Sequence, residues 1–271
     1  MGSTLVKRIL ASVEKIAWPQ EERATAQGKH AYDVALEKAD DSRGDGKQLA
    51  GALRTALSGQ SRPYAMAALA YILVAASQEA DGSYDSMGLD AAMHWLEQAQ
   101  ALEPDSVDIN FIEALIYVYN GRIDDARLVL NYLRGQTANH FRLDLAEIAY
   151  WEAKRDIEKT MHWYGQAAQS AAAVPQKMRL RVGQGDFLLR MGRLNEALQK
   201  YKEAVHFDKA NPVLWHKMSL IFMEKGDWEE AWRCNQQALQ LRDFPAARQV
   251  EERIKKQTGT TGMLGRLFGR S

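Results

Sequence analysis

The chain has 271 residues, 46% of them hydrophobic and 26% charged, enough for a sizeable core in one or two domains or one elongated repeat array. Its 35 basic and 35 acidic residues cancel, so no global charge points to nucleic acid. A single cysteine, Cys234, excludes an intrachain disulfide framework and fits a reducing compartment.

The N-terminal segment carries no recognisable export signal: Lys7 and Arg8 are followed by only five apolar or small residues before Glu14. No apolar run reaches the length of a membrane span, and the expected location is the cytoplasm. Residues 4–17 read as an amphipathic helix with Leu5, Ile9, Val13 and Ile16 on one side. Pro19 is read as the start of a second helix reaching Ala39, and Lys47 to Ser58 as a third after a Gly- and Asp-rich turn. These two form a degenerate hairpin, with the first helix expected to cover its open end; together they make an N-terminal region of residues 1–61.

Residues 62–105 read as a hairpin whose turn is lengthened around residues 80–88. That insertion is either neutral or a contact loop anchored by Tyr84 and Met87. From residue 106 to 243 four hairpins follow, starting near residues 107, 141, 178 and 212. The last is the clearest. Asn211 caps a helix, Pro212 occupies its first turn, Gly226 ends it, and Asp227 caps the next helix. Ala231 and Ala238 then let the two helices approach closely. Thirty-four residues upstream Gly185, Gly192, Ala197, Tyr201 and Ala204 fill the same slots. Ala114, Gly121, Ala126 and Leu130 repeat the pattern, and the motifs Met93-His94-Trp95 and Met161-His162-Trp163 share one slot. Residues 244–257 read as a capping helix and 258–271 as a flexible tail.

These residues resemble the tetratricopeptide repeat family, most closely in the turns around Gly121, Gly192 and Gly226. The unit from 141 departs from it: Arg155 stands where glycine is usual, Thr160 replaces the small alanine, and Met161 to Ala168 is similar to a Sel1-like repeat. The resemblance implies an all-α fold, a right-handed α-solenoid of stacked antiparallel hairpins whose first helices line a concave groove. It implies a protein or peptide ligand there, facing Asp108, Phe111, Arg142, Leu145, Arg179, Val182, Asp186, Arg190 and His216. Arg142, Arg179 and Arg190 are the residues suited to clamp a carboxylate. The lysine–asparagine clamp of repeat co-chaperones is absent in this register, where Phe111, Leu115, Leu145, Ala149, Val182 and Asp186 stand.

The six histidines fall in different repeats, no HExxH or cysteine pair occurs, and no catalytic, metal or cofactor residue is assigned. The expected function is therefore a non-catalytic adaptor or assembly scaffold. Two alternatives are an assembly factor that docks on membranes through its tail, and an enzyme subunit. In that tail Leu264, Arg266, Leu267 and Phe268 combine apolar and basic side chains at helical spacing, which suggests docking on a partner, self-association or weak membrane contact.

Overall fold

A computed structural model describes residues 2–42, 44–79 and 81–258, with side chains from residue 4 onward. The described residues form α-helices, and no strand is present among them. In chain order they are α1 (Gly2–Val13), α2 (Ala26–Asp41), α3 (Gly46–Ser58), α4 (Arg62–Ala76), α5 (Ser86–Leu102), α6 (Val107–Tyr119) and α7 (Ile123–Gln136). They continue as α8 (Phe141–Ala153), α9 (Ile157–Ser170), α10 (Val174–Arg190), α11 (Leu194–Phe207), α12 (Pro212–Glu224), α13 (Trp228–Leu241) and α14 (Pro245–Thr258). The chain divides into two compact units, Met1–Lys154 and Arg155–Ser271. The fold is an all-α solenoid built of stacked helix hairpins.

Each hairpin is set by local chemistry. Gly121, Gly192 and Gly226 sit at φ of 75°, 72° and 73°, the left-handed region where a side chain is strained and glycine is not. Just beyond two of the tight turns, at Asp156 and Asp227, an aspartate side chain accepts the backbone N–H three residues on and so caps the second helix. Ala126, Ala197, Ala204, Ala231 and Ala238 are fully buried where paired helices touch. Their small volume sets the interhelical distance.

In the first unit α2–α3, α4–α5 and α6–α7 pair as hairpins, and α8 packs on α6. One core runs through all of them, from Val6 to Tyr150. In the second unit α10–α11 and α12–α13 pair, α9 packs on α10, and α14 covers α13 through Val250 and Ile254. The division into units falls inside the hairpin expected from residue 141. There Arg155 takes the positive φ (57°) that glycine holds elsewhere. Thr160 fills an alanine slot, and its hydroxyl is buried with no hydrogen-bond partner among the described residues.

Two features differ from the sequence reading. The second helix begins at Ala26 rather than Pro19, because Thr25 is the cap, its hydroxyl accepting from Gly28 N at 2.9 Å. Residues 19–25 instead run as an irregular segment tied to the start of α4. There Arg62 Nε donates to Pro19 O at 3.0 Å and Ser61 Oγ to Arg23 O at 2.8 Å. The first helix does not simply cover the open end of the α2–α3 hairpin. Its Val6, Ile9 and Val13 are buried, and it packs on α3, α4 and α5.

Replacing Ala231 by leucine should overpack the α12–α13 contact and lower stability by roughly 1–3 kcal/mol. A thermal melt matching that of the unaltered chain would contradict the helix register described here.

Candidate interaction site

The first helices of the first unit, α2, α4, α6 and α8, lie side by side. The face they form is filled by their own side chains. Arg142, on the first turn of α8, is only 8% exposed. Its guanidinium donates to Asp40 at 2.7 Å and Glu37 at 3.1 Å, both on α2, and to the Tyr71 hydroxyl at 3.2 Å. Tyr71 in turn donates to the other Asp40 oxygen at 2.5 Å. Burial works against the guanidinium charge, but Asp40, Tyr71 and Glu37 outweigh it, and the pKa of Arg142 is raised.

A second cluster crosses the same helices one level away. Tyr32 donates to the carbonyl of Asp108 at 2.6 Å, and the Asp108 carboxylate meets Lys29 at 3.2 Å and His140 at 2.9 Å. Burial raises the Asp108 pKa, yet the hydrogen bond from His140 and the charge of Lys29 hold it below the usual carboxylate range. Phe111 lies between Tyr71 and His140, with ring centroids at 6.0 and 6.4 Å, and is 1% exposed.

Of the residues expected to face a ligand here, Phe111 is thus a core residue and Arg142 an internal tie. Asp108 is engaged with α2 and the α8 cap, and Leu145 is half-buried. The contribution of α2 is what sequence reasoning missed: the helix was read as part of a degenerate hairpin, not as a source of carboxylates for α8. Beside Asp40 a cavity of about 210 Å³ remains, lined by Ser42, Tyr71, Gln78, Tyr84 and Tyr119 among others. The lengthened turn closes one side of it. Tyr84 stacks on Tyr119 at 3.9 Å and so anchors inward, while Met87 is exposed.

The second unit differs. On α10, Arg179, Val182, Asp186 and Arg190 follow one another at helical spacing; the first three are half-buried and Arg190 is exposed. Asp186 accepts from Lys217 of α12 and from the hydroxyl of Tyr201 on α11. Burial and the Asp186 charge push the Tyr201 pKa up. Lys217, not its neighbour His216, is therefore the α12 residue beside the α10 stripe. His216 turns toward the C-terminal helices, its ring nearly perpendicular to that of Phe244 with the centroids 5.4 Å apart. Its Nδ1 and the Asn235 Oδ1 are buried, and a proton on Nδ1 satisfies both.

Leu264, Arg266, Leu267 and Phe268 lie outside the described residues. Among the described residues no three His, Cys, Asp or Glu side chains are placed to hold a metal ion. Among the described residues no helix is long and apolar enough to cross a membrane.

No protein-family model matches the chain, and no curated protein matches it. Solved structures do. That of Pseudomonas aeruginosa pilF is 14% identical, covering 68% of this chain and 86% of its own, with a TM-score of 0.52. This chain shares the helical fold of that structure. MamA of MSR-1 is 18% identical over 56% of this chain and 86% of its own, with a TM-score of 0.44. A tetratricopeptide repeat protein of Parabacteroides merdae is 15% identical over 85% of this chain and all of its own, with a TM-score of 0.34. At 14% identity the likeness to pilF is one of fold. The two units use their first-helix faces differently: Arg142 of the first is buried against partners on α2, whereas Arg190 on α10 of the second is exposed.

Replacing Arg142 by alanine leaves Asp40 and Glu37 without their cation and should cost roughly 3–5 kcal/mol. Urea unfolding followed by circular dichroism measures this, and an unchanged midpoint would contradict the cluster. His216 gives a pH test. Burial lowers its folded pKa, so the unfolded chain binds the proton more readily. Its contribution is present above the unfolded value of about 6.5 and is lost as pH falls. Stability should therefore drop more steeply from pH 7.5 to 5 in the unaltered chain than in a His216→Gln variant; parallel curves would contradict this.

Proposed function

We propose that the protein is a non-catalytic scaffold that holds an acidic protein segment against the first-helix face of its second unit. The observation that carries this reading is the exposure of that face. In the first unit Phe111 and Arg142 are buried and Asp108 is tied to α2, whereas on α10 Arg190 is exposed and Arg179 is half-buried on the same stripe. Val182 lies between them as an apolar contact, and Asp186 fixes Lys217 alongside. Two guanidinium groups flanking an aliphatic side chain suit a segment with spaced carboxylates, which arginine binds bidentately. Stacked helical hairpins supply such a surface without any catalytic group. We place the protein in the cytoplasm because a single cysteine, with no intrachain disulfide to form, suits a reducing compartment; Cys234 is buried, and burial pushes its thiol up to about 11.

Arg179→Glu combined with Arg190→Glu should lower recovery of bound proteins from lysate by roughly tenfold or more. That corresponds to the loss of a charge-assisted hydrogen bond of about 1.5–3 kcal/mol. Recovery by the unaltered chain should also fall as salt is raised. Recovery of the same proteins in the same yield by both forms would contradict the proposal.

A further inference from the structure

The cavity beside Asp40 has a chemistry of its own. It holds about 210 Å³ and lies among α2, α4, α6 and the lengthened turn, all within the first unit. Part of its lining is apolar, with Val74 and Leu115 buried. Tyr71, Tyr84 and Tyr119 also line it, and their polar atoms are engaged with other groups of the protein. The Tyr84 and Tyr119 rings stack with centroids 3.9 Å apart and an interplanar angle of 9°, and their hydroxyls hydrogen-bond to each other. The Tyr71 hydroxyl donates to one Asp40 oxygen at 2.5 Å. Among the described residues that line the cavity Asp40 is the charged one, its side chain 16% exposed. Its other oxygen accepts from Arg142 at 2.7 Å, and Arg142, which does not line the cavity, divides its charge between Asp40 and Glu37. Burial, Tyr84, Tyr71 and Glu152 all push the Tyr119 pKa upward, so the site resists a negative charge at that hydroxyl.

We propose that this cavity binds the quaternary ammonium head of a small organic cation. Aromatic rings and a carboxylate shielded from water both attract positive charge. Both Asp40 oxygens already accept hydrogen bonds, and two of the tyrosine hydroxyls are turned on each other. A ligand therefore gains charge and contact here rather than hydrogen bonds. A primary ammonium carries N–H donors that must be met when it leaves water, whereas a quaternary one carries none. Size agrees with this. An apolar cavity of about 150 Å³ admits benzene, so this one has room for a trimethylated nitrogen and its first methylene groups. The lengthened turn supplies Tyr84, which a plain hairpin turn would not. A free amine and a trimethylated lysine of a partner protein share this head. The site is independent of the α10 stripe, and the two readings stand or fall separately.

The test is a nuclear magnetic resonance titration of the full-length chain with choline and with its neutral isostere, in which a tert-butyl group replaces the trimethylammonium. Choline should bind roughly tenfold more tightly, a difference of about 1.4 kcal/mol, and should shift the amide signals of Gln78 and Tyr84. Butylammonium should bind several-fold more weakly than choline. Tyr84→Leu should weaken choline binding several-fold, whereas Tyr84→Phe, which keeps the ring, should retain it. Asp40→Asn should bring choline and its isostere to nearly equal affinity. Asp40 also holds Arg142, so the two Tyr84 variants carry the test should that variant not fold. A peptide with a trimethylated lysine then names the source. Binding tighter than that of choline assigns the head to a partner's side chain, and weaker binding assigns it to a free amine. Equal binding of choline and its isostere would overturn the proposal. So would tighter binding of butylammonium, shifts confined to other surfaces, loss of binding in Tyr84→Phe, or no binding of choline at all.

Discussion

A guanidinium group taken out of water costs several kcal/mol unless its donors are met, and in the first unit that requirement ties together helices far apart in sequence. Arg142 meets it with Glu37 and Asp40, more than a hundred residues upstream, and with Tyr71 on the helix between. The stacking of α4 and α6 between them brings α2 and α8 within reach. The same stacking puts Tyr32 and Lys29 against Asp108, and Phe111 under Tyr71. A face that a repeat protein would otherwise offer to a ligand is thereby consumed by the fold. On α10 of the second unit, by contrast, Arg190 is exposed.

A second constraint acts hairpin by hairpin. Two helices touch closely only where alanine or glycine stands between them, and the tight turn before the second helix needs positive φ. Gly192 and Ala197 meet both demands, as do Gly226 with Ala231 and Gly121 with Ala126. Residues 155 and 160 meet neither in the usual way, and the boundary between the compact units falls at Arg155. The bulk and the orphaned hydroxyl of Thr160 are a physical reason for a weak point at that position.

Most of the fold was legible because it is local. The 34-residue recurrence, the capping aspartates and the terminating glycines act over a few residues, and each leaves its mark in the sequence. The start of α2 was not legible in the same way. Proline at a first helical turn and threonine at a cap are both valid start signals, and contacts of residues 19–25 with Ser61 and Arg62 decide between them. The site was less legible still. Family register places Arg142 and Phe111 toward a ligand, but their partners sit on α2 and α4, and no local pattern announces a pair so distant in sequence. His216 and Lys217 are adjacent, so the choice of which faces α10 depends on helix rotation by a single residue, and Asp186 settles it for Lys217.

Amide hydrogen exchange along α2 tests the central claim most directly. If the Arg142 cluster makes α2 an integral part of the first unit, amides of its second half should be protected to nearly the level of α4 and α6. In Arg142→Ala that protection should fall while α12 and α13 keep theirs. Rapid exchange throughout α2 in the unaltered chain, or protection indifferent to Arg142, would contradict the account.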